Sequence, residues 1–302
     1  MNAKMDRTEW AMVLATGFFF GSSFVFIKVA VDSLPPITVA AGRTLVAGVV
    51  IWVFLRLAGE RLPRPGRDWG PLLIIGLLTG AIPFATIAFG QRFIDSGLAG
   101  IFFGAIPVFT IFLSHFLVAG ERISTDKLVG GFFGLAGVVI VVGPGAFGGL
   151  GDQVMGQALT LVATLSYTLG VIYGRLRTQV TPRLQAAGQN LGGALFLVPL
   201  SLAVDAPWTL APTTDALWAL LGMGVLSTAI PALFLFRLIK TAGATNASLA
   251  TFFIPVSAVV LGWAVLGERL HWTAFAGLAV ILVGAAIVNG RLRVFSNAGA
   301  AG

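Results

Sequence analysis

Apolar runs of about 20 residues, separated by short clusters of Gly, Pro and charged residues, recur along the whole chain. A helix needs about 20 such residues to cross the roughly 30 Å hydrocarbon of a bilayer. The pattern predicts ten spans, at 10–31, 36–57, 70–91, 96–119, 128–147, 153–174, 184–204, 215–239, 244–266 and 272–290. The connections are short and leave no room for a folded soluble domain. Helices are required because backbone groups facing lipid have no water to bond. A β-barrel would instead alternate apolar and polar positions in segments of about ten residues. The first run is too long for a typical secretory h-region. It ends in Lys28-Val29-Ala30-Val31-Asp32, which offers no small-residue cleavage site, so it is read as the first helix.

Composition agrees with this pattern. Of the 302 residues 57% are apolar and 10% charged, and mean hydropathy is +0.95. A soluble chain carries about 25% charge. The absence of cysteine excludes disulfides, thiolate nucleophiles and Cys-ligated zinc. A net charge of +7 would suit nucleic acid, but the placement of the basic residues points elsewhere. Fifteen of the 19 fall in segments on the side of the N-terminus, Arg92 and Arg269 fall on the opposite side, and Lys28 and Arg43 lie within spans. That asymmetry is the positive-inside rule. It predicts an integral membrane protein with both termini cytoplasmic and no nucleic-acid partner.

Gly143-Pro144-Gly145-Ala146-Phe147-Gly148-Gly149-Leu150-Gly151 is a breaker-rich seam near the midpoint. It divides the chain into five-helix units at 1–147 and 148–302. The units align at an offset of 147–148: Gly120-Glu121-Arg122 with Gly267-Glu268-Arg269, Gly130 with Gly277, Gly137 with Gly284, Pro83 with Pro231, Pro107 with Pro255, and Lys28 with Arg175. Five is odd, so the second unit crosses the membrane in the opposite sense. Inverted repeats of this kind characterise secondary transporters. Pro83, Pro107, Pro231 and Pro255 fall near mid-helix, where a missing hydrogen bond kinks the chain, and are candidate hinges around a central cavity. Six GxxxG pairs, at Gly17/Gly21, Gly76/Gly80, Gly100/Gly104, Gly130/Gly134, Gly170/Gly174 and Gly188/Gly192, predict close helix packing in a compact monomer.

Phe20-Gly21-Ser22-Ser23-Phe24-Val25-Phe26-Ile27-Lys28, Leu34-Pro35-Pro36 and Ala40-Ala41-Gly42-Arg43 resemble the opening of the EamA family of the drug/metabolite transporter superfamily. So do Ile106-Pro107-Val108-Phe109 and Gly120-Glu121-Arg122, repeated as Ile254-Pro255-Val256 and Gly267-Glu268-Arg269. The family often has Trp where Phe20 stands. The resemblance implies an all-α fold of ten transmembrane helices in two inverted repeats, placed in a bacterial inner membrane. It also implies movement of small metabolites, commonly export of amino acids or related compounds. The branch that exports aromatic amino acids is similar in architecture.

Polar groups inside a bilayer are functional candidates by default. Arg43 lies about 10 Å into the second span, where it is placed to attract a carboxylate or to snorkel or pair with Asp32. Lys28 reads as an interfacial or structural cation. Gln185, Gln189 and Asn190 form a polar patch in span seven, and Asn190 corresponds to Arg43 by repeat. Ser22, Ser23, Thr86, Ser166 and Thr168 either line a path or bond their own helix backbone. Tyr167 corresponds to Phe20, and the doublets Phe102-Phe103 and Phe252-Phe253 precede two of the prolines, so Tyr167, Phe102 and Phe252 are candidate walls for a planar apolar substrate. The tryptophans lie near span ends as belt anchors. No Asp or Glu falls mid-span, which favours gradient-driven facilitated transport over carboxylate-based proton antiport. No phosphate-binding loop supports ATP-driven transport. No acid, base or metal-ligand cluster supports a membrane enzyme. No cofactor or metal is expected. The alternative readings are a carrier of cationic drugs and a channel.

Overall fold

The computed structural model describes residues 5–63, 66, 69–118, 124–142, 151–177 and 181–292. The seam at 143–150 and Gly120-Glu121-Arg122 lie outside the described residues. Ten helical spans are present: α1 (Arg7–Val31), α2 (Pro36–Leu57), α3 (Trp69–Gly90), α4 (Ser96–Leu117), α5 (Thr125–Val142), α6 (Asp152–Arg177), α7 (Pro182–Val204), α8 (Thr214–Thr241), α9 (Ala250–Leu266) and α10 (Trp272–Val288). The protein is an all-helical membrane bundle. Its helices start where the sequence offers acceptors for the free N–H groups. Asp6 and Glu9 close a capping box on α1, with the Glu9 amide donating to Asp6 at 2.7 Å and the Asp6 amide to Glu9 at 3.0 Å. Thr181 and Thr213 cap α7 and α8. Gly267 ends α9 in the left-handed conformation, φ 67°.

Ala244–Ala247 forms a short helical turn ahead of α9. The predicted continuous span over 244–266 is therefore broken at Ser248 and Leu249. Three other departures from α geometry bear on the prolines. A π-helical segment at Gly76–Ala81 precedes Pro83, and another at Val225–Ala229 precedes Pro231. A proline ring clashes with the carbonyl four residues back, here that of Thr79 or Ser227. Both carbonyls lie in the widened π turn, which takes up the clash. In α4 the helix is interrupted at Gly104 and Ala105, so Pro107 sits in the first turn of a new helix, where it is tolerated. Pro255 differs from the other three, because α9 runs through it as continuous α-helix. A third π segment, Gly188–Gly192, lies in α7 without a proline.

Glycines set the packing. A Cβ built on Gly130 would lie 2.7 Å from the Gly284 carbonyl oxygen, and one on Gly284 would lie 2.6 Å from that of Gly130. Gly137 and Gly277 meet in the same way, so α5 and α10 touch backbone to backbone. Elsewhere early helices meet late ones. Gly17 and Gly21 of α1 face Ala250 and Ile254 of α9, Gly76 of α3 faces Gly192 of α7, and Gly90 of α3 faces Gly156 of α6. Bare glycine surfaces let helices approach closely, which provides dispersion contacts where lipid supplies no hydrophobic drive. Large apolar side chains cover the outside, among them Phe116, Phe132, Trp208, Trp218, Trp263 and Trp272. Such a surface would aggregate in water and suits lipid.

Candidate functional site

A cavity of about 270 Å³ lies between the helices. Eight of the ten contribute to its wall: Thr16, Phe20, Ser23 and Phe24 from α1, Arg43 from α2, Phe84 and Ile87 from α3, Phe103, Gly104, Ile106 and Pro107 from α4, Tyr167 and Val171 from α6, Gln189 from α7, Thr228 and Leu235 from α8, and Ala250, Thr251 and Ile254 from α9. The back-to-back helices α5 and α10 contribute none. At one offset for each helix pair, 147 for α1 with α6 and 148 for α3 with α8 and α4 with α9, five pairs of lining residues correspond: Phe20 and Tyr167, Phe24 and Val171, Ile87 and Leu235, Phe103 and Thr251, Ile106 and Ile254.

On the α3–α4 side, Ile87 packs into a buried cluster that includes Ile27, Leu34, Val39, Ile94 and Leu98. Where α1 begins and α8 ends, Val13, Leu238, Ala247 and Ala250 form a second buried cluster, and Val171 and Thr251 of the wall are exposed.

The wall is mainly apolar and aromatic, with the uncharged polar residues Thr16, Ser23, Gln189, Thr228 and Thr251 and, among the described residues, one charge. Arg43 is 6% exposed. Its Nε donates to Thr228 Oγ1 at 3.2 Å, and Thr228 Oγ1 donates to the Met223 carbonyl at 2.8 Å across the π turn. The ring of Phe84 lies against the guanidinium, 3.8 Å from ring centre to Cζ, a cation–π contact. The group is thus held along one edge and over one face. Neither terminal nitrogen of Arg43 has a hydrogen-bond partner among the described residues, and no carboxylate lines the cavity. Phe24, Phe103 and Tyr167 form an edge-to-face series, with centroids 5.9 Å and 5.2 Å apart.

Of the residues singled out from sequence, Ser23, Arg43, Tyr167, Gln189 and Pro107 line this cavity and are brought together. The others lie outside its lining. Ser22 bonds Ser227 of α8 at 2.7 Å and the Phe19 carbonyl at 2.8 Å. Thr86 donates to the Ile82 carbonyl of its own helix at 2.8 Å. Phe102 is fully buried, and its neighbour Phe103 faces the cavity instead. In the second doublet neither ring lines it, and Thr251 and Ile254 take that place. Asn190 is buried and donates to the Ala186 carbonyl at 2.9 Å. It lies in the Gly188–Gly192 π segment, which shifts the register so that Gln189 reaches the wall. Pro83, Pro231 and Pro255 are buried outside the wall. Phe84 and Thr228, which hold Arg43, were not predicted. Thr228 follows the pattern of a hydroxyl beside a mid-helix breaker, a signal too common to single it out.

A second polar cluster lies at the turn between α3 and α4. Lys28 Nζ donates to the carbonyls of Gln91 (2.8 Å) and Ile94 (3.0 Å), where α3 ends. The Glu268 carboxylate accepts from the Ser96 and Gly97 amides at 2.7 and 3.0 Å, where α4 begins. The turn 91–95 is thus held by a cation at a helix C-terminus and an anion at a helix N-terminus, the favourable pairing for each dipole. Burial raises the Asp95 carboxyl above the usual range, the Glu268 charge adds to this, and Lys28 opposes it.

The sequence pattern of the EamA-like transporter family matches residues 8–143 and again residues 154–290. The chain is similar to the uncharacterized transporter YoaV of Bacillus subtilis, 25% identical over 273 residues, covering 90% of this chain and 93% of that one. It is also similar to the uncharacterized inner membrane transporter YedA of Escherichia coli K12, 29% identical over 281 residues, covering 92% and 89%. A WAT1-related chloroplastic protein of Arabidopsis thaliana is 25% identical over 289 residues, covering 93% and 69%. A solved crystal structure has the same fold, with TM-score 0.67 and 18% identity over 96% of this chain and 100% of that one.

Proposed function

This chain belongs to the EamA-like transporter family, and from that premise we propose that it is a secondary carrier that exports small carboxylate-bearing metabolites, amino acids or related compounds, by alternating access around the Arg43 cavity. It is an integral membrane transporter. The reading places it in a bacterial inner membrane with both termini cytoplasmic, acting as a monomer without cofactor or catalysis. Residues 1–147 and 148–302 are its two inverted units. The spaced pairs in the cavity wall support that division, because a cavity on a two-fold axis draws corresponding residues from each unit.

One observation carries the substrate reading. The terminal nitrogens of Arg43 are unpaired in an apolar chamber, and a guanidinium fork matches a carboxylate in two parallel hydrogen bonds. The pocket supplies no anion to receive a cationic drug, which disfavours the multidrug alternative. The direction rests on access. Val171 and Thr251, the exposed residues of its wall, lie toward the side that the basic residues place in the cytoplasm, the side from which an exporter loads.

The test is counterflow in proteoliposomes against a panel of amino acids, related carboxylates and cationic drugs. Saturable exchange of carboxylates that is lost in Arg43→Gln is expected. Exchange of cationic drugs alone, or carboxylate flux unchanged in Arg43→Gln, overturns the reading.

A further inference from the structure

We infer that the cavity selects monoanionic carboxylates whose remaining atoms are uncharged and apolar or aromatic over zwitterionic α-amino acids. This narrows the substrate class and rests on reading the cavity as the carrier's binding site.

The argument begins with the charge count. Among the described residues Arg43 is the one charged side chain in the lining, and none of the ten described acidic residues contributes to it. A carboxylate on the Arg43 fork neutralises that charge and leaves the chamber neutral. An α-amino acid bound the same way places its ammonium one carbon from the carboxylate and so within a few ångströms of the guanidinium. Like charges at that range repel strongly where little water screens them. No side chain of opposite sign is present in the lining to offset the repulsion. A buried charge without a partner is costly.

The neutral polar groups do not replace the missing anion. Thr228 Oγ1 already accepts from Arg43 and donates to Met223. Ser23 and Thr16 are buried in α1, and Thr16 donates to the Met12 carbonyl at 2.6 Å. Tyr167, Gln189 and Thr251 also lie in the wall. Each of these, like Ser23, offers an uncharged oxygen, and none gives the charge an ammonium needs.

The rest of the chamber matches an apolar body. Phe20, Phe24, Phe84, Phe103 and Tyr167 bring five aromatic rings to one space. The volume of about 270 Å³ lies at the lower edge of the roughly 300–1,000 Å³ usual for small-molecule sites, which limits the occupant to a compact molecule such as a single aromatic ring with a short acid chain.

Three probes share one ring and a two-carbon linker and differ in their charged groups: 3-phenylpropanoate carries only the carboxylate, phenylalanine both groups, and phenethylamine only the ammonium. Binding to the purified full chain in nanodiscs and counterflow in proteoliposomes are measured for each. 3-Phenylpropanoate is expected to bind at least fivefold more tightly than phenylalanine, with phenethylamine weakest, and Arg43→Gln to remove the advantage of the acid. The comparison within the unmodified protein decides the matter even if the variant does not fold. A preference under fivefold, a reversed order, or no saturable binding of any probe overturns the inference. The expected binding order without counterflow leaves the selectivity standing and refutes the carrier reading. Counterflow that favours phenylalanine does the opposite.

Discussion

Replacing Glu268 should loosen the turn between α3 and α4 by an amount that the geometry sets. Its two carboxylate oxygens accept from the first two amides of α4 at 2.7 and 3.0 Å. Bonds to a charged acceptor contribute about 1.5–3 kcal/mol each, and a charge at a helix N-terminus adds about 0.3–1 kcal/mol. Glu268 is half-exposed, so solvent screening lowers the total, and Glu268→Ala should cost about 2–4 kcal/mol. Glu268→Gln keeps one oxygen as an acceptor and loses the charge, at about 1–2 kcal/mol. Glu9→Ala is the control, since its bond to the Asp6 amide is exposed and should contribute under about 1 kcal/mol. The assay is thermal inactivation in detergent, read as the fraction of monodisperse protein after heating. The order should be unmodified chain and Glu9→Ala above Glu268→Gln above Glu268→Ala. If Glu268→Ala and Glu9→Ala melt together, the carboxylate is not holding α4 and the clamp described at the turn 91–95 is wrong.

Four further outcomes are expected. Asp95→Asn should stabilise the protein at neutral pH. The native carboxyl is raised, so its ionised form opposes folding above the folded-state value, and the advantage should fade as pH falls toward the ordinary carboxylate range; melting curves from pH 4 to 8 check this. Gly284→Leu should cost several kcal/mol or prevent assembly, because even a Cβ there lies 2.6 Å from the Gly130 carbonyl; Gly151→Leu, which meets nothing within 4 Å, should match the unmodified protein in size-exclusion yield. A pH gradient imposed at zero substrate gradient should drive no net flux in proteoliposomes, because the cavity wall holds no acid; sustained ΔpH-driven accumulation would contradict facilitated transport. Single-cysteine labelling at 121 and 268 should report opposite sides of the membrane, and labelling from one side at both positions would end the inverted-repeat reading.

The spans were legible because each is a run of apolar residues about as long as a bilayer is thick. Eight of the ten keep their predicted course within a few residues, and the predicted end of span five, 143–147, lies outside the described residues. Span nine was drawn too long because hydropathy does not register the backbone turn at Ser248 and Leu249. The wall of the cavity was harder to read. Arg43, Tyr167 and Gln189 were found as polar or paired residues inside apolar runs. The repeat offset pairs Asn190 with Arg43 and does not tell Phe102 from Phe103. A break after Phe103 and a π segment at Gly188–Gly192 are local departures that an offset does not register. One surplus residue rotates the downstream part of a helix by roughly 100°, enough to exchange neighbours between wall and core. The partners of Lys28 and Glu268 were invisible for another reason: they are backbone carbonyls and amides, which every sequence contains.

The seam between α5 and α10 has a consequence for how such a protein can change. The helices that end the two predicted units lie glycine to glycine, and the chamber is built without them. They form a keel. Substitutions along it tax durability and leave recognition untouched, so the last helix of each half can diverge, or be grafted from a sturdier relative, while the cargo stays the same.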